Sequence, residues 1–250
     1  MKTILTALVL VLLTVSVSLA GTPSEDFGKA NEFYKQKDYE KAINLYHSIL
    51  DQGVESAPTY FNLGNAYFKN GDLGRAILYY MKAKKLDPGN DDIRNNLDFA
   101  KQFTSIQMEG VQLNPINSFI ESIVGPYRID TLAWIASAFF ILFIGFLAVR
   151  YGLGIAGPWI KAGLVVSVIL LLTASFITTF KYRHDYLTRR AVLITDEAPV
   201  RSGPSDEMDV EIEGAPGLVV EILSQSGDYY NVLFENKRRG WIKKDLVAEI

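Results

Sequence analysis

The chain contains no cysteine and only two histidines, His47 and His184, in 250 residues. Without thiols there is no disulfide framework, no thiolate nucleophile, no thiolate metal site and no lipid attachment through an N-terminal cysteine. The two histidines lie far apart, and neither has a second ligand at helical spacing, so no metal-site pattern exists. An excess of charge of either sign is also lacking. A net charge of −3, with no basic patch interleaved with aromatics, offers nothing to nucleic acid. A serine-centred elbow and a glycine-rich phosphate loop are missing as well, so the sequence reads as a non-enzyme without cofactor or metal.

What the chain has in quantity is apolar sequence, 49% of residues, gathered into three long runs. The first begins Met1-Lys2, stays apolar from Ile4 to Leu19, and ends in small residues at Ala20 before Gly21. One cation, an apolar core and a small-residue cleavage site read as a secretory signal peptide over residues 1–20, with an uncleaved anchor as the alternative. The other two runs, Asp130 to Val149 and Ala162 to Phe180, are joined by the short turn Arg150 to Lys161. Each holds about 20 residues, enough at ~1.5 Å per residue to cross a ~30 Å hydrocarbon core. The expectation is an antiparallel transmembrane hairpin over residues 129–181. Its polar residues, among them Ser137, Ser167, Thr173 and Thr178, carry no charge and suit helix packing rather than transport. Tyr127, Trp134, Tyr151 and Trp159 fall where aromatic belts would lie.

A double crossing returns the chain to the side it left. If the residues after Gly21 are exported, the segments before and after the hairpin share the extracytoplasmic compartment. The cations Lys181, Arg183, Arg189 and Arg190 after the second run point the other way, because positive charge favours the cytoplasmic side. The signal-like segment is given the greater weight, so the expected location is a membrane with both soluble segments outside the cytoplasm.

Residues 23–90 match themselves at an offset of 34 residues. Ala30 aligns with Gly64, Phe33 with Tyr67, Asp38 with Asp72, Ala42 with Ala76, Ile43 with Ile77 and Tyr46 with Tyr80. Each Asp is placed to cap a helix, and the small residues let helices approach closely. The period and these positions resemble the tetratricopeptide repeat. The second copy is nearly complete, with Leu63-Gly64, Tyr67, Ala76, Tyr80, Ala83 and Pro88; the first is weaker, with Lys29-Ala30 in place of Leu-Gly. Asp91 to Phe103 reads as a capping helix with Ile93, Leu97 and Ala100 on one face, completing an all-α unit over 23–104. Two repeats are fewer than a solenoid normally needs, so the capping helix, a partner or self-association must cover the remaining surface. The resemblance places Asn31, Tyr34, Asn62, Asn65 and Phe68 on a concave groove suited to an extended peptide, the alternative being a plain solvated face. Phe27 stands where carboxylate-clamping members carry Lys, which argues against that clamp. Residues 105–128 read as a linker in which Phe119, Ile120, Ile123 and Val124 could form a short interfacial helix.

Beyond Arg190 the pattern changes to short β-rich runs: Ala191 to Ile194, Val219 to Leu223, Tyr229 to Phe234 and Gly240 to Ile242. About five short strands suit a small closed barrel over residues 188–250. Ala198-Pro199-Val200-Arg201-Ser202-Gly203-Pro204, Gly227-Asp228-Tyr229-Tyr230 and Gly240-Trp241-Ile242, in this order, resemble the bacterial SH3-like domain. That resemblance implies binding of peptides or cell-wall fragments, and Tyr229, Tyr230 and Trp241 are the aromatic surface candidates. Alternation puts Tyr229 and Tyr230 on opposite faces, and Trp241 is either surface or core. The acidic residues Asp206, Glu207, Asp209, Glu211 and Glu213 lack a calcium-loop pattern and read as a solvated hairpin.

The fold class expected is therefore multidomain: all-α tetratricopeptide-like repeats, a transmembrane hairpin and an all-β SH3-like barrel. Signal, repeats, hairpin and barrel in this order resemble the BatE-type proteins of bacterial aerotolerance (Bat) operons. The resemblance implies a non-enzymatic envelope scaffold with protein partners, namely von Willebrand A-type membrane proteins, other Bat proteins and a MoxR-type ATPase. A cell-wall sensor or targeting protein, with peptidoglycan as the ligand of the barrel, is the competing expectation.

Overall fold

The computed structural model describes residues 22–104 and 123–250. The expected signal segment and most of the linker, including Phe119 and Ile120, lie outside the described residues.

Five helices come first: α1 (Pro23–Lys35), α2 (Tyr39–Asp51), α3 (Ala57–Lys69), α4 (Leu73–Leu86) and α5 (Asp91–Gln102). Each begins at a residue whose side-chain oxygen can accept from the first-turn amides, as a helix start requires. Thr22, Asp38, Ser56, Asp72 and Asn90 are these caps. Asp72 accepts from the Arg75 amide at 2.9 Å and pairs with the Arg75 guanidinium at 2.6 Å. Asp38 repeats the arrangement with Lys41. Asp72→Ala is expected to lower stability by about 1 kcal/mol in thermal or urea unfolding, the usual loss for an aspartate cap.

The helices pair as α1 with α2 and α3 with α4. A Cβ on Gly64 would lie 2.7 Å from the Tyr80 ring, so the small residue of the repeat makes room for the aromatic of the next helix. Ala30, Ala42, Tyr46 and Ile49 of the first pair form one buried cluster with Leu63 and Ala66 of α3. Ile93, Leu97 and Ala100 are all buried, so α5 closes the second pair on the expected face.

Two long apolar helices follow, α6 (Ile129–Leu147) and α7 (Pro158–Tyr182). Each runs on through a short π-helical turn, so that Ile129–Gly152 and Pro158–Leu187 are long and apolar enough to cross a membrane. They are antiparallel: Gly163 at the start of α7 packs on Phe146 at the end of α6, and a Cβ there would meet the ring. The hydroxyls satisfy their own helices, Ser137 donating to the Ala133 carbonyl and Thr178 to that of Ala174. Trp134, Ile141, Trp159, Leu172 and Phe176 are largely exposed. An exposed apolar surface of this extent marks contact with lipid or with other protein.

The C-terminal sheet has seven antiparallel strands rather than about five: β1 (Arg190–Leu193), β2 (Ala198–Arg201), β3 (Val210–Gly214), β4 (Val219–Ser226), β5 (Tyr229–Phe234), β6 (Arg239–Lys243) and β7 (Val247–Glu249). Their order is β3-β2-β6-β5-β4-β1-β7. Beyond the four runs named from the sequence stand β2, which carries Pro199, β3, in which Glu211 and Glu213 alternate with Ile212, and the three-residue β7. The core holds Leu193, Val200, Val220, Ile222, Val232, Phe234 and Ile242.

The barrel does not hang free. Strand β1 is buried on both faces: Ala191 and Leu193 enter the barrel core, while Val192 joins Ala76, Ile77, Tyr80, Leu97 and Ala100 of the helices. Val219, Ala248 and Ile250 pack against the same cluster. At Gly74 a Cβ would lie 2.7 Å from the Leu193 carbonyl oxygen, and at Gly217 one would lie 2.5 Å from Ile77. Contacts this close need glycine on both sides. The end of the two-repeat unit is thus covered by α5 together with the barrel.

Candidate binding surfaces

The repeat face carries a hydrogen-bonded ladder. Tyr46 donates its hydroxyl to Asn31 Oδ1 at 2.6 Å, and Asn62 Nδ2 donates to the same oxygen at 2.9 Å. One repeat later, Tyr80 donates to Asn65 Oδ1 at 2.7 Å and Asn96 Nδ2 to that oxygen at 3.1 Å. Burial pushes the Tyr46 phenol up to about 12 and the Tyr80 phenol further in the same direction, so both remain donors. Three of the five groove candidates, Asn31, Asn62 and Asn65, therefore help to join successive helices. Tyr34 is half-buried with its ring 5.5 Å from that of Tyr39. Asn96, which the sequence reading did not single out, is one period beyond Asn62; extending the repeat alignment past Pro88 would have found it.

Where a third ladder step would fall, 34 residues after Asn65, stands Phe99. Its ring forms a triangle with Phe68 and Phe103, with centroid distances of 5.7, 5.8 and 5.4 Å. Phe99 is 49% and Phe103 54% exposed. The face therefore runs from an amide-rich strip on α1 and α3 to an exposed aromatic patch shared by α3 and α5.

The barrel divides its three aromatic candidates. Strand register places Asn231 opposite Trp241, Tyr229 opposite Lys243 and Arg201 opposite Trp241, so these side chains share one face. Asp206 closes over that face: Tyr229 donates to its Oδ1 at 2.8 Å, Lys243 Nζ lies 2.7 Å from Oδ2, and Arg201 is 3.7 Å away. Lys243 and the Tyr229 hydroxyl hold the Asp206 carboxyl below the usual range. Trp241 is half-exposed and outside the core cluster. Asn231 Oδ1 is shielded from solvent and accepts no hydrogen bond. An indole edge, an amide and a charged triad in one strip can hold a polar ligand with a flat apolar side.

Tyr230 lies on the opposite side of β5, against the core. It donates to Glu249 Oε1 at 2.7 Å, and Arg189 bonds the same carboxylate at 2.7 Å. Arg189 and Lys244 sit over its ring at 5.6 and 5.3 Å. Tyr229 and Trp241 are thus brought together and Tyr230 is held apart. Among the described residues, no group of three or more His, Asp or Glu is placed to hold a metal ion.

Residues 57–90 match the tetratricopeptide repeat family, and residues 195–249 match the bacterial SH3 domain. Among solved structures, the tetratricopeptide domain of Sgt2 from Aspergillus fumigatus is similar at 16% identity, covering 78% of this chain and 93% of that one, with a TM-score of 0.33. No curated protein matches the chain.

Proposed function

We propose that the protein is a non-enzymatic, membrane-anchored adaptor that presents two binding surfaces from one rigid head. The observation that carries this reading is the docking of the two modules: β1 is buried on both faces and ties the barrel to α4 and α5. Both modules join the same end of the apolar hairpin, where Lys181 at the end of α7 donates to the Gly125 carbonyl just before α6. The hairpin's exposed apolar surface supports a lipid anchor. The signal-like N-terminus and the match to a bacterial SH3 domain support an extracytoplasmic head. The cations at and after the end of α7 oppose that orientation, and the signal-like N-terminus is given the greater weight. Lys181 and Arg190 engage Asp185 at 2.9 and 3.9 Å, and Arg189 engages Glu249. The order of modules supports a Bat-type assembly with von Willebrand A-type partners and a MoxR-type ATPase.

A second reading, recognition of cell wall, is favoured by the Tyr229–Trp241 strip, whose aromatic and charged groups suit a sugar-peptide ligand. One experiment separates the two. A photoreactive residue is placed in the intact chain at Phe68 or at Trp241 and irradiated in cells. The adaptor reading expects protein adducts from both positions. The wall reading expects none from Trp241, and instead co-sedimentation of the chain with purified wall that Trp241→Ala removes. Absence of protein adducts at either position would overturn the adaptor. Because the chain has no native cysteine, single cysteines at Ser56 and Ser205 report the side of the membrane: both should react with an impermeant maleimide in intact cells.

A further inference from the structure

All three parts of the chain converge on one cavity of about 320 Å³ at the base of the head. The helical repeats contribute Lys84, Lys85 and Lys101; the hairpin contributes Arg128 and Lys181; the barrel contributes Arg189 and Arg190. These seven cations face three carboxylates, those of Asp130, Asp185 and Glu249. Ion pairs within the wall account for Lys181 and Arg190 on Asp185, Arg189 on Glu249 and Arg128 on Asp130. Lys85 Nζ lies 3.4 Å from the Ile250 main-chain oxygen and 5.8 Å from the centre of the Tyr186 ring. Pairing among the lining side chains therefore leaves more cations than carboxylates in the wall.

Position gives this charge a meaning. Arg128 immediately precedes α6 and Lys181 lies in the last turn of α7, so the cavity sits where the apolar hairpin ends. Beside the cations the wall turns apolar, through Ile129 and Phe180 on the hairpin and Met81, Leu97 and Val124 on the head side. A wall that is cationic at the water level and apolar along the helices matches one kind of molecule: a phosphodiester anion carrying acyl chains. Basic residues at such a level attract anionic headgroups over a short range.

We infer that this cavity binds the phosphate of an anionic phospholipid from the surrounding leaflet, clamping the head against the membrane through all three parts of the chain. The inference rests on the anchor reading above. The test uses the full chain in vesicles of phosphatidylcholine with and without phosphatidylglycerol, with co-retained lipid read by native mass spectrometry after detergent extraction. The native chain is expected to retain phosphatidylglycerol selectively. Lys85→Gln with Lys101→Gln is expected to weaken that retention about 30-fold, each cation being worth about fivefold at an anionic surface. Lys85→Arg with Lys101→Arg should keep it. Equal retention of both lipids would overturn the inference while leaving the anchor intact, as would loss of selectivity in the arginine pair. Displacement of the lipid by millimolar inorganic phosphate would reassign the cavity to a free anion. Failure of the chain to float with pure phosphatidylcholine vesicles would overturn the anchor and the lipid site together.

Discussion

Val192→Asp is expected to undock the barrel from the repeats and to destabilise the chain by about 4 kcal/mol, within the range for an unpaired charge forced into an apolar contact. Val192 is fully buried, yet it belongs to neither module's private core. Its neighbours Ala76, Ile77, Leu97 and Ala100 are apolar, and the hydroxyl of Tyr80 in the same cluster is already given to Asn65. The backbone cannot move aside, because Gly74 already lies against Leu193 and Ile194. Relief must come from separation of the two bodies. Val192→Ala should cost about 2 kcal/mol, since it removes only buried methyls. Urea unfolding of the detergent-solubilised chain measures both. The docked head should unfold in one transition in the native chain and in two for the aspartate variant, because Ala191 and Leu193 still anchor β1 in the barrel. Proteolysis near Thr188 should accelerate in parallel. An aspartate variant that keeps a single unshifted transition would show that the modules are energetically independent.

That interface also marks the limit of what the residues alone disclose. Ala191 to Ile194 is a continuous apolar run, and such a run signals burial on two faces without naming what covers the second. The repeat period identified α1 to α4 because tetratricopeptide packing is local: Gly64 and Tyr80 lie within one hairpin. The capping face of α5 was legible for the same reason. Its other neighbours, Val192 and Val219, come from more than ninety residues further on, and nothing in the helix pattern points to them. The partners of the cations were hidden in a related way. Lys181 and Arg190 share Asp185, and Arg189 pairs with Glu249 near the far end of the barrel, a partner sixty residues away that no local pattern announces. The same distance problem hid Asp206, which seemed one solvated acid among several until the loop folded over Tyr229 and Lys243. Strand count fell short because β3 presents exposed glutamates and β7 is only three residues long.

Docking changes what two candidate binding surfaces can do. A flexible tether between repeats and barrel would let each find its ligand alone, with an effective concentration set by linker length. Here the closest approaches, at Gly74 and Gly217, fix one surface relative to the other. A partner that engages both must match that geometry, and one that engages a single surface leaves the other presented at a set height above the hairpin. Selectivity in such a head comes from spacing as much as from the contacts in either groove.

Within the repeats, Tyr80→Ala is expected to cost about 4 kcal/mol and Tyr80→Phe about 1 kcal/mol, a contrast that separates packing from the ladder. The ring is 2% exposed and fills the space that Gly64 leaves open. Its removal opens a hole beside a residue with no side chain to collapse into it, so the alanine variant should approach the full cavity penalty. The phenylalanine variant keeps the ring and loses only the hydroxyl at Asn65 Oδ1, which still accepts from Asn96. Because Tyr80 and Asn96 share one acceptor, Tyr80→Phe and Asn96→Ala should not add: the second removal leaves a part-buried amide oxygen without either donor. Tyr46→Phe should reproduce the single loss one repeat earlier, where Asn31 accepts from Tyr46 and Asn62. Additive losses at Tyr80 and Asn96, or a negligible effect of Tyr46→Phe, would mean that the asparagines contribute no mutual support. They would then be available to a peptide at no structural cost. Non-additive losses would mean that any ligand competing for these amides must replace bonds the solenoid already makes, and would direct recognition toward the exposed rings of Phe99 and Phe103, the part of the face that no ladder engages.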